Sequence, residues 1–171
     1  MSSEQVSFII TEYQDRHKDQ VIKVISDSLF LIFNVEPRNM KELEDVKAHF
    51  FDKNGKFYVA ELEGKVIGTI AVIQEEYEGE SVARVYKLYV EHRHRGKGVG
   101  RALLERVFEF CNAGGHSRIV LSTHPRMVDA IRFYQRNGFV EFKRYDDRIF
   151  FEKACRVPER VCTENKMYRK E

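Results

Sequence analysis

Residues 86–101 read YKLYVEHRHRGKGVGR, a β-patterned run, a basic turn with glycines at alternate positions, and a helix start. Gly96, Gly98 and Gly100 bring bare backbone to a surface, where no Cβ obstructs the N–H groups. The helix that begins near Val99 leaves its first N–H groups unpaired at a positive dipole end. Such a turn is an anion site. From Arg84 to Arg101 six Lys/Arg stand against one acid, Glu91, so the preferred anion carries phosphates.

Spacing removes two familiar phosphate loops. A P-loop needs Lys then Ser or Thr after its last glycine, and here Gly100 is followed by Arg101-Ala102. A dinucleotide fingerprint needs G-x-G-x-x-G and an acid about 20 residues on. Here the spacing is G-x-G-x-G, and the corresponding later region reads Arg118-Ile119-Val120-Leu121-Ser122. Arg95, Gly98 and Gly100 instead satisfy [Q/R]-x-x-G-x-[G/A].

Outward from the turn, Ser81 to Val90 reads as a strand and Gly98 to Ala113 as a helix with Val99, Leu103, Val107 and Phe110 on one face. Gly114-Gly115 stops that helix, and Arg118 to Ser122 is a second strand. Strand, turn, helix and strand predict a right-handed crossover between adjacent parallel strands, with the ligand at their carboxyl ends. Upstream, Lys56 to Leu62 and Lys65 to Ile73 flank Glu63-Gly64, a two-residue hairpin signal. Gly68 marks a bulge or a close backbone approach. Glu75, Glu76, Glu78 and Glu80 surround Gly79 and are expected in a solvated acidic turn.

Val6 to Tyr13 is the first predicted strand. A helix from Asp15 carries Val21, Ile22, Ile25, Leu29, Ile32 and Phe33 at helical spacing, and a second from Asn39 carries Leu43, Val46 and Phe50. Downstream, Met127 to Asn137 is predicted helical up to Gly138. Val140 to Tyr145 and Ile149 to Lys153 form a last hairpin around Asp146-Asp147. Residues 1–153 are expected to make one domain and 154–171 a polar tail.

At 171 residues and net charge +2, with 43% hydrophobic and 33% charged residues, the composition is that of an ordinary globular chain. A domain of this size buries roughly 70% of its extended surface. Basic charge confined to one turn argues for a phosphate pocket over a nucleic-acid stripe. MSSEQVSFII lacks the layout of a signal peptide, and the longest apolar run, Leu29 to Phe33, is far too short to span a bilayer. A soluble, cytoplasmic location is expected. Cys111, Cys155 and Cys162 form no C-x-x-C pair and no metal spacing; they are expected as reduced thiols, with Cys111 near the core.

Ala130-Ile131-Arg132-Phe133-Tyr134-Gln135-Arg136-Asn137-Gly138-Phe139 supplies a second motif, A-x-x-[FL]-Y-x-x-x-G-F. Together with the glycine turn, 34 residues before Tyr134 when counted from Gly100, it resembles the GNAT superfamily of acyl-CoA-dependent N-acyltransferases over roughly residues 57–142. The resemblance implies an α/β fold: a mixed, mostly antiparallel sheet of six or seven strands, a splayed parallel central pair, and helices on both faces. It implies acetyl-CoA as acyl donor and an amine as acceptor, with no metal, no nucleic acid and no membrane, in a monomer or homodimer. The pyrophosphate would lie on the backbone of Arg95, Gly96, Lys97, Gly98, Val99, Gly100 and Arg101. Tyr89 and Val90 would bond the pantetheine arm, the Leu88 N–H would face the thioester carbonyl, and Tyr134 would protonate the departing thiolate.

The sequence departs from the family at two positions. Arg84 stands where many members have a glutamate base, and arginine cannot accept a proton at neutral pH. Met127 stands where an asparagine is common. Glu75, Glu76, Glu80 and His124 are the replacement bases to test, and Arg84 with Tyr86 could face an acceptor carboxylate or phosphate. The Phe30 to Phe50 region is where the family builds part of its acceptor pocket. A catalytically silent acyl-CoA-binding protein is the alternative function, and a nucleic-acid module using the basic turn is a further rival.

Overall fold

In a computed structural model, residues 7–37 and 40–155 are described. Seven strands form one sheet in the order β1-β2-β3-β4-β5-β7-β6. They are β1 (Ile9–Glu12), β2 (Lys56–Leu62), β3 (Lys65–Tyr77), β4 (Glu80–Val90), β5 (Arg118–Thr123), β6 (Val140–Arg144) and β7 (Ile149–Ala154). Every neighbouring pair is antiparallel except β4 and β5, which are parallel. The expected fold class is therefore observed.

Helix α1 (Lys18–Phe33) packs on one face and α4 (Val99–Ala113) on the other. The apolar stripe of α4, Val99, Leu103, Leu104, Val107 and Cys111, is buried against Ile67, Val85, Ile119 and Leu121. The stripe of α1, Val21, Val24 and Ile25, meets Val59, Val66, Ala71 and Ile73. Alternate residues of the central strands therefore feed two separate cores, the pattern of a sheet covered on both faces. A fully buried His17 anchors the start of α1: its Nδ1 accepts from the Gln14 N–H at 2.9 Å and its Nε2 lies 2.6 Å from Glu61 Oε1 on β2.

Several sequence expectations are corrected. The helix expected from Asn39 has its start outside the described residues, and its remainder is broken into α2 (Lys41–Glu44) and α3 (Val46–His49). Asp45 causes the break: it leaves helical geometry and turns its carboxylate back to accept from the Ala48 N–H at 2.9 Å. Asp15 opens a short 3-10 turn rather than α1 itself. The acidic turn is shorter than expected, because β3 continues through Tyr77 and only Glu78-Gly79 turn, both at positive φ. Glu75 and Glu76 are strand residues on opposite faces.

Gly68 meets both expectations at once. The β2–β3 register slips between Ala60 and Glu61 opposite it, and a Cβ there would lie 3.0 Å from Leu103 and 3.1 Å from Val99. Helix α4 therefore sits directly on the sheet. Cys111 on α4 and Cys155 beyond β7 are paired, with Cα atoms 5.9 Å apart, within the span of a disulfide. This corrects the reading of these two as separate reduced thiols; Cys162 lies outside the described residues.

Candidate active site

The parallel pair is joined only at its base. Ala83 pairs with Ile119 and Arg84 with Val120, after which the two strands part. On its other side β4 stays on β3, but with a bulge: Thr69 pairs with Tyr89 and Ala71 with Tyr86, leaving Lys87 and Leu88 opposite Ile70 alone. Lys87 takes a left-handed conformation, φ 56°, and its carbonyl accepts from the Thr69 hydroxyl at 2.6 Å. A bulge of this kind bends its strand and increases local twist. It lies where β4 leaves β5.

Beyond the bulge the Glu91 N–H donates to the Ile67 carbonyl at 2.8 Å. That bond makes Gly68–Val90 a non-hydrogen-bonded antiparallel pair, which turns the Val90 N–H and C=O away from β3 into the gap. Strand alternation turns Leu88 the same way and Tyr89 back onto β3. The Val90 carbonyl is already taken by Arg95 Nε at 3.1 Å. Its N–H remains toward the gap.

The glycine turn lies at the open end. Gly96 and Gly98 have φ 72° and 85°, and a Cβ on either would meet nothing within 4 Å. Backbone conformation requires these two glycines. Gly100 is different: a Cβ there would sit 3.3 Å from the Phe133 ring, so it is small to let α4 approach α5 (Val128–Arg136). Gly98 is the N-cap of α4, and the Ala102 N–H is the first to fold back onto it. The N–H groups of Val99, Gly100 and Arg101 open the helix without intrahelical partners.

The basic side chains divide. Arg93 is held by Glu91 at 2.9 Å and Arg101 by Glu105 at 2.7 Å, with Asn137 as a second partner of Arg101. Val99 is buried in the core, so it and Arg101 reach the turn through their backbone. Lys97 is exposed and has no side-chain partner among the described residues. These donors fit a pyrophosphate: unobstructed N–H groups at a helix start, one uncommitted ammonium, and Arg95 beside them. The pairing of Arg93 and Arg101 thins the basic surface a nucleic acid would need.

Tyr134, on α5, is 6% exposed, and its ring packs against Phe133, Phe139 and Phe151 with centroids 5.8–5.9 Å away. Its hydroxyl has no protein hydrogen-bond partner among the described residues. Burial first, and the neighbouring Tyr89 second, push its pKa above the ordinary phenol range. It is therefore a proton donor throughout neutral pH.

Of the replacement bases, three are poorly placed. Glu80 opens β4 at the end far from Val90 and is drawn to Arg118 and Ser117. Glu76 is exposed. His124 commits Nδ1 to the Arg126 N–H at 3.1 Å, which puts the ring proton on Nε2 and leaves no acceptor. Glu75 accepts from the Tyr86 hydroxyl, whose pKa is raised by burial and then by that bond. Met127 caps α5 and its sulfur accepts from the Thr123 hydroxyl at 3.3 Å. The aromatics from Phe30 to Phe50 split: Phe50 is core, Phe30 is 44% exposed, and Phe33 stands edge-on to His124 at 5.0 Å. Sequence reasoning did not anticipate Ser122, whose hydroxyl meets Arg84 from 38 residues away, or Arg148, which reaches the same hydroxyl from 26 residues away.

A sheet parted between two parallel strands, with a glycine-capped helix at the opening and a buried tyrosine on the helix that follows the second strand, is an acyltransferase architecture. The chain belongs to the acetyltransferase (GNAT) family, whose model matches residues 20–139. It is 33% identical over 125 residues to N-acetyltransferase family 8 member 2 of Rattus norvegicus, covering 68% of this chain and 55% of that protein. It is also 33% identical over 99 residues to N-acetylaspartate synthetase of Xenopus tropicalis, covering 57% and 36%. The chain thus spans about half the length, or less, of the curated relatives it matches. Among solved structures, a GNAT-family acetyltransferase of Staphylococcus aureus Mu50 superposes with TM-score 0.79 at 25% identity, covering 87% of this chain and 99% of that one. An N-acetyltransferase of Thermoplasma acidophilum, solved with coenzyme A, shares the fold at TM-score 0.71 and 18% identity over 86% and 99% of the chains. Among the described residues no cluster of His, Cys, Asp or Glu is arranged to hold a metal, and no helix is long and apolar enough to cross a membrane.

Proposed function

We propose that this protein is an N-acetyltransferase that moves an acetyl group from acetyl-CoA to a primary amine by direct attack. The observation that carries the reading is the gap between β4 and β5, into which the bulge turns the Leu88 and Val90 N–H groups beside the glycine turn. Acetyl-CoA supplies an activated acyl thioester. The backbone from Arg95 to Arg101 holds its pyrophosphate, and the Val90 N–H bonds the pantetheine arm, with Tyr89 keeping that segment on β3. The Leu88 N–H stabilises negative charge developing on the carbonyl oxygen, a contribution of about 3 kcal/mol when such a donor is preorganised.

Tyr134 gives its proton to the departing sulfur. The transfer runs from a phenol to a thiolate, and burial keeps the phenol protonated until it is needed. An attacking amine must be neutral, and the Tyr86 hydroxyl relays its proton to Glu75. Relatives named N-acetylaspartate synthetase keep amino-acid amines within the acceptor class. Arg84 at the usual glutamate position also motivates the alternative, an acyl-CoA-binding protein without turnover.

Calorimetric titration with acetyl-CoA, followed by thiol release across neutral, acidic and polyamine acceptors, tests both. Amine-dependent release establishes the transferase; tight binding without release on any amine favours the silent protein. No binding overturns the assignment of the gap and the turn.

A further inference from the structure

Ala83 and Val85 point into the core beneath α4, so Arg84 lies on the α1 face of the sheet, as Tyr86 does. On the same face β5 presents Ser122 and β7 presents Phe150, each next to a residue of the α4-side core. Arg84 Nη2 lies 3.3 Å from Ser122 Oγ. Arg148, from the turn between β6 and β7, brings Nη1 to within 3.4 Å of the same oxygen. The Arg84 guanidinium is 5.4 Å from the Phe150 ring and 5.7 Å from the Tyr86 ring. Two aromatic walls thus fix the direction of its fork.

The arrangement is electrostatically incomplete. Two cations converge on one neutral hydroxyl, and neither has a carboxylate partner among the described residues. Arg84 Nε is buried with no acceptor, an expensive state for a charged donor. Ser122 Oγ receives from both guanidiniums, which occupies its lone pairs and leaves its own hydrogen to donate. Among the described residues, the two guanidiniums and the Ser122 hydroxyl are thus three donor groups gathered together without a carboxylate to receive them. The place lies where the strands part: Arg84 stands in the last paired rung of β4 and β5, opposite Val120, and Ser122 is two residues further along β5.

Building on the transferase reading, we infer that Arg84, Arg148 and Ser122 bind the carboxylate of the acceptor, so that the amine acetylated belongs to an amino acid or a similar amino-carboxylate. A planar anion with two oxygens matches a guanidinium fork with a second cation and a hydroxyl beside it. The position is the base of the gap between β4 and β5, where a carboxylate held by Arg84 directs the attached amine toward Leu88. A protein amine, which carries an amide in that place, leaves both arginines unpaired. Arg84 thus exchanges the proton-accepting role of the family's glutamate for recognition of the acceptor.

The test compares the standard L-amino acids with their primary amides, and phosphoethanolamine with ethanolamine, by thiol release and by calorimetric binding to the CoA-loaded protein. Wild type is expected to prefer acids over amides by about 100-fold in kcat/KM. Arg148→Gln, an exposed substitution, and Arg84→Gln are expected to erase that preference mainly through KM, without altering acetyl-CoA affinity. Amides used as well as acids, or an equal loss on both in the variants, overturns the inference while leaving the transferase intact. Preference for phosphoethanolamine alone overturns the carboxylate assignment in favour of a phosphate. Amino acids that bind through Arg148 without any release sustain the carboxylate site and sink the transferase. Neither binding nor release overturns both.

Discussion

The two faces of the central sheet are built from different material. On the α4 side the cofactor site we propose consists of backbone: N–H groups of a glycine turn, a helix start and a bulged strand, with Arg93 and Arg101 tied to Glu91 and Glu105. On the α1 face the inferred acceptor site consists of side chains, Arg84, Tyr86, Ser122 and Arg148, gathered from two strands and a turn. A backbone site recognises what every acyl-CoA shares, whereas a side-chain site can change its acceptor by substitution. Under this proposal, the cofactor motif can stay intact beside an arginine in place of the usual base.

The sharpest way to break this contrast is Gly98→Glu. It places a charged side chain at φ 85° in the turn, and acetyl-CoA affinity measured by calorimetry is expected to fall by roughly 100-fold or more. Unchanged affinity would remove the turn from the cofactor site. Tyr134→Phe addresses the chemistry that joins the faces: turnover on a working amine is expected to drop on the order of 100-fold, with acetyl-CoA affinity held. Wild-type turnover in that variant would show that another group protonates the sulfur.

Gly100→Leu separates packing from binding within the turn. The new side chain meets Phe133, and chemical denaturation should report a loss of about 1–3 kcal/mol, the usual result of overpacking. Thr69→Val removes the hydroxyl bonded to the Lys87 carbonyl, with an expected stability loss of about 1 kcal/mol. A several-fold fall in turnover should accompany it if the bulge aims Leu88. The smallest effect is one of pH. Because burial raises the Tyr134 pKa, the phenol keeps its proton as pH rises, so kcat should show no descending limb from this group below about pH 10. A limb near pH 8 that disappears in Tyr134→Phe would place the phenol in a wetter setting.

Local rules account for the parts that sequence reading reached. Glu63-Gly64 dictates a two-residue turn, both residues adopt positive φ, and the hairpin forms where expected. The alternation of β4 and the stripe of α4 sort residues into two cores as their periodicity requires. Where a single side chain competes with the backbone, local reading failed: Asp45 caps Ala48 and breaks a helix that periodicity would have continued. Cys111 and Cys155, 44 residues apart, meet only because β7 lies beside β5 and under α4.

By itself the sequence determined the glycine turn, the strand before it, the helix after it and the tyrosine motif, because each is written in neighbouring residues whose spacing fixes backbone geometry. Only tertiary structure decided where β4 parts from β5, which basic residues are already paired, and that Arg84, Ser122 and Arg148 converge. Those outcomes depend on strand register and on side chains that reach across elements distant in the chain. Long-range pairing sets both, and no local spacing encodes it.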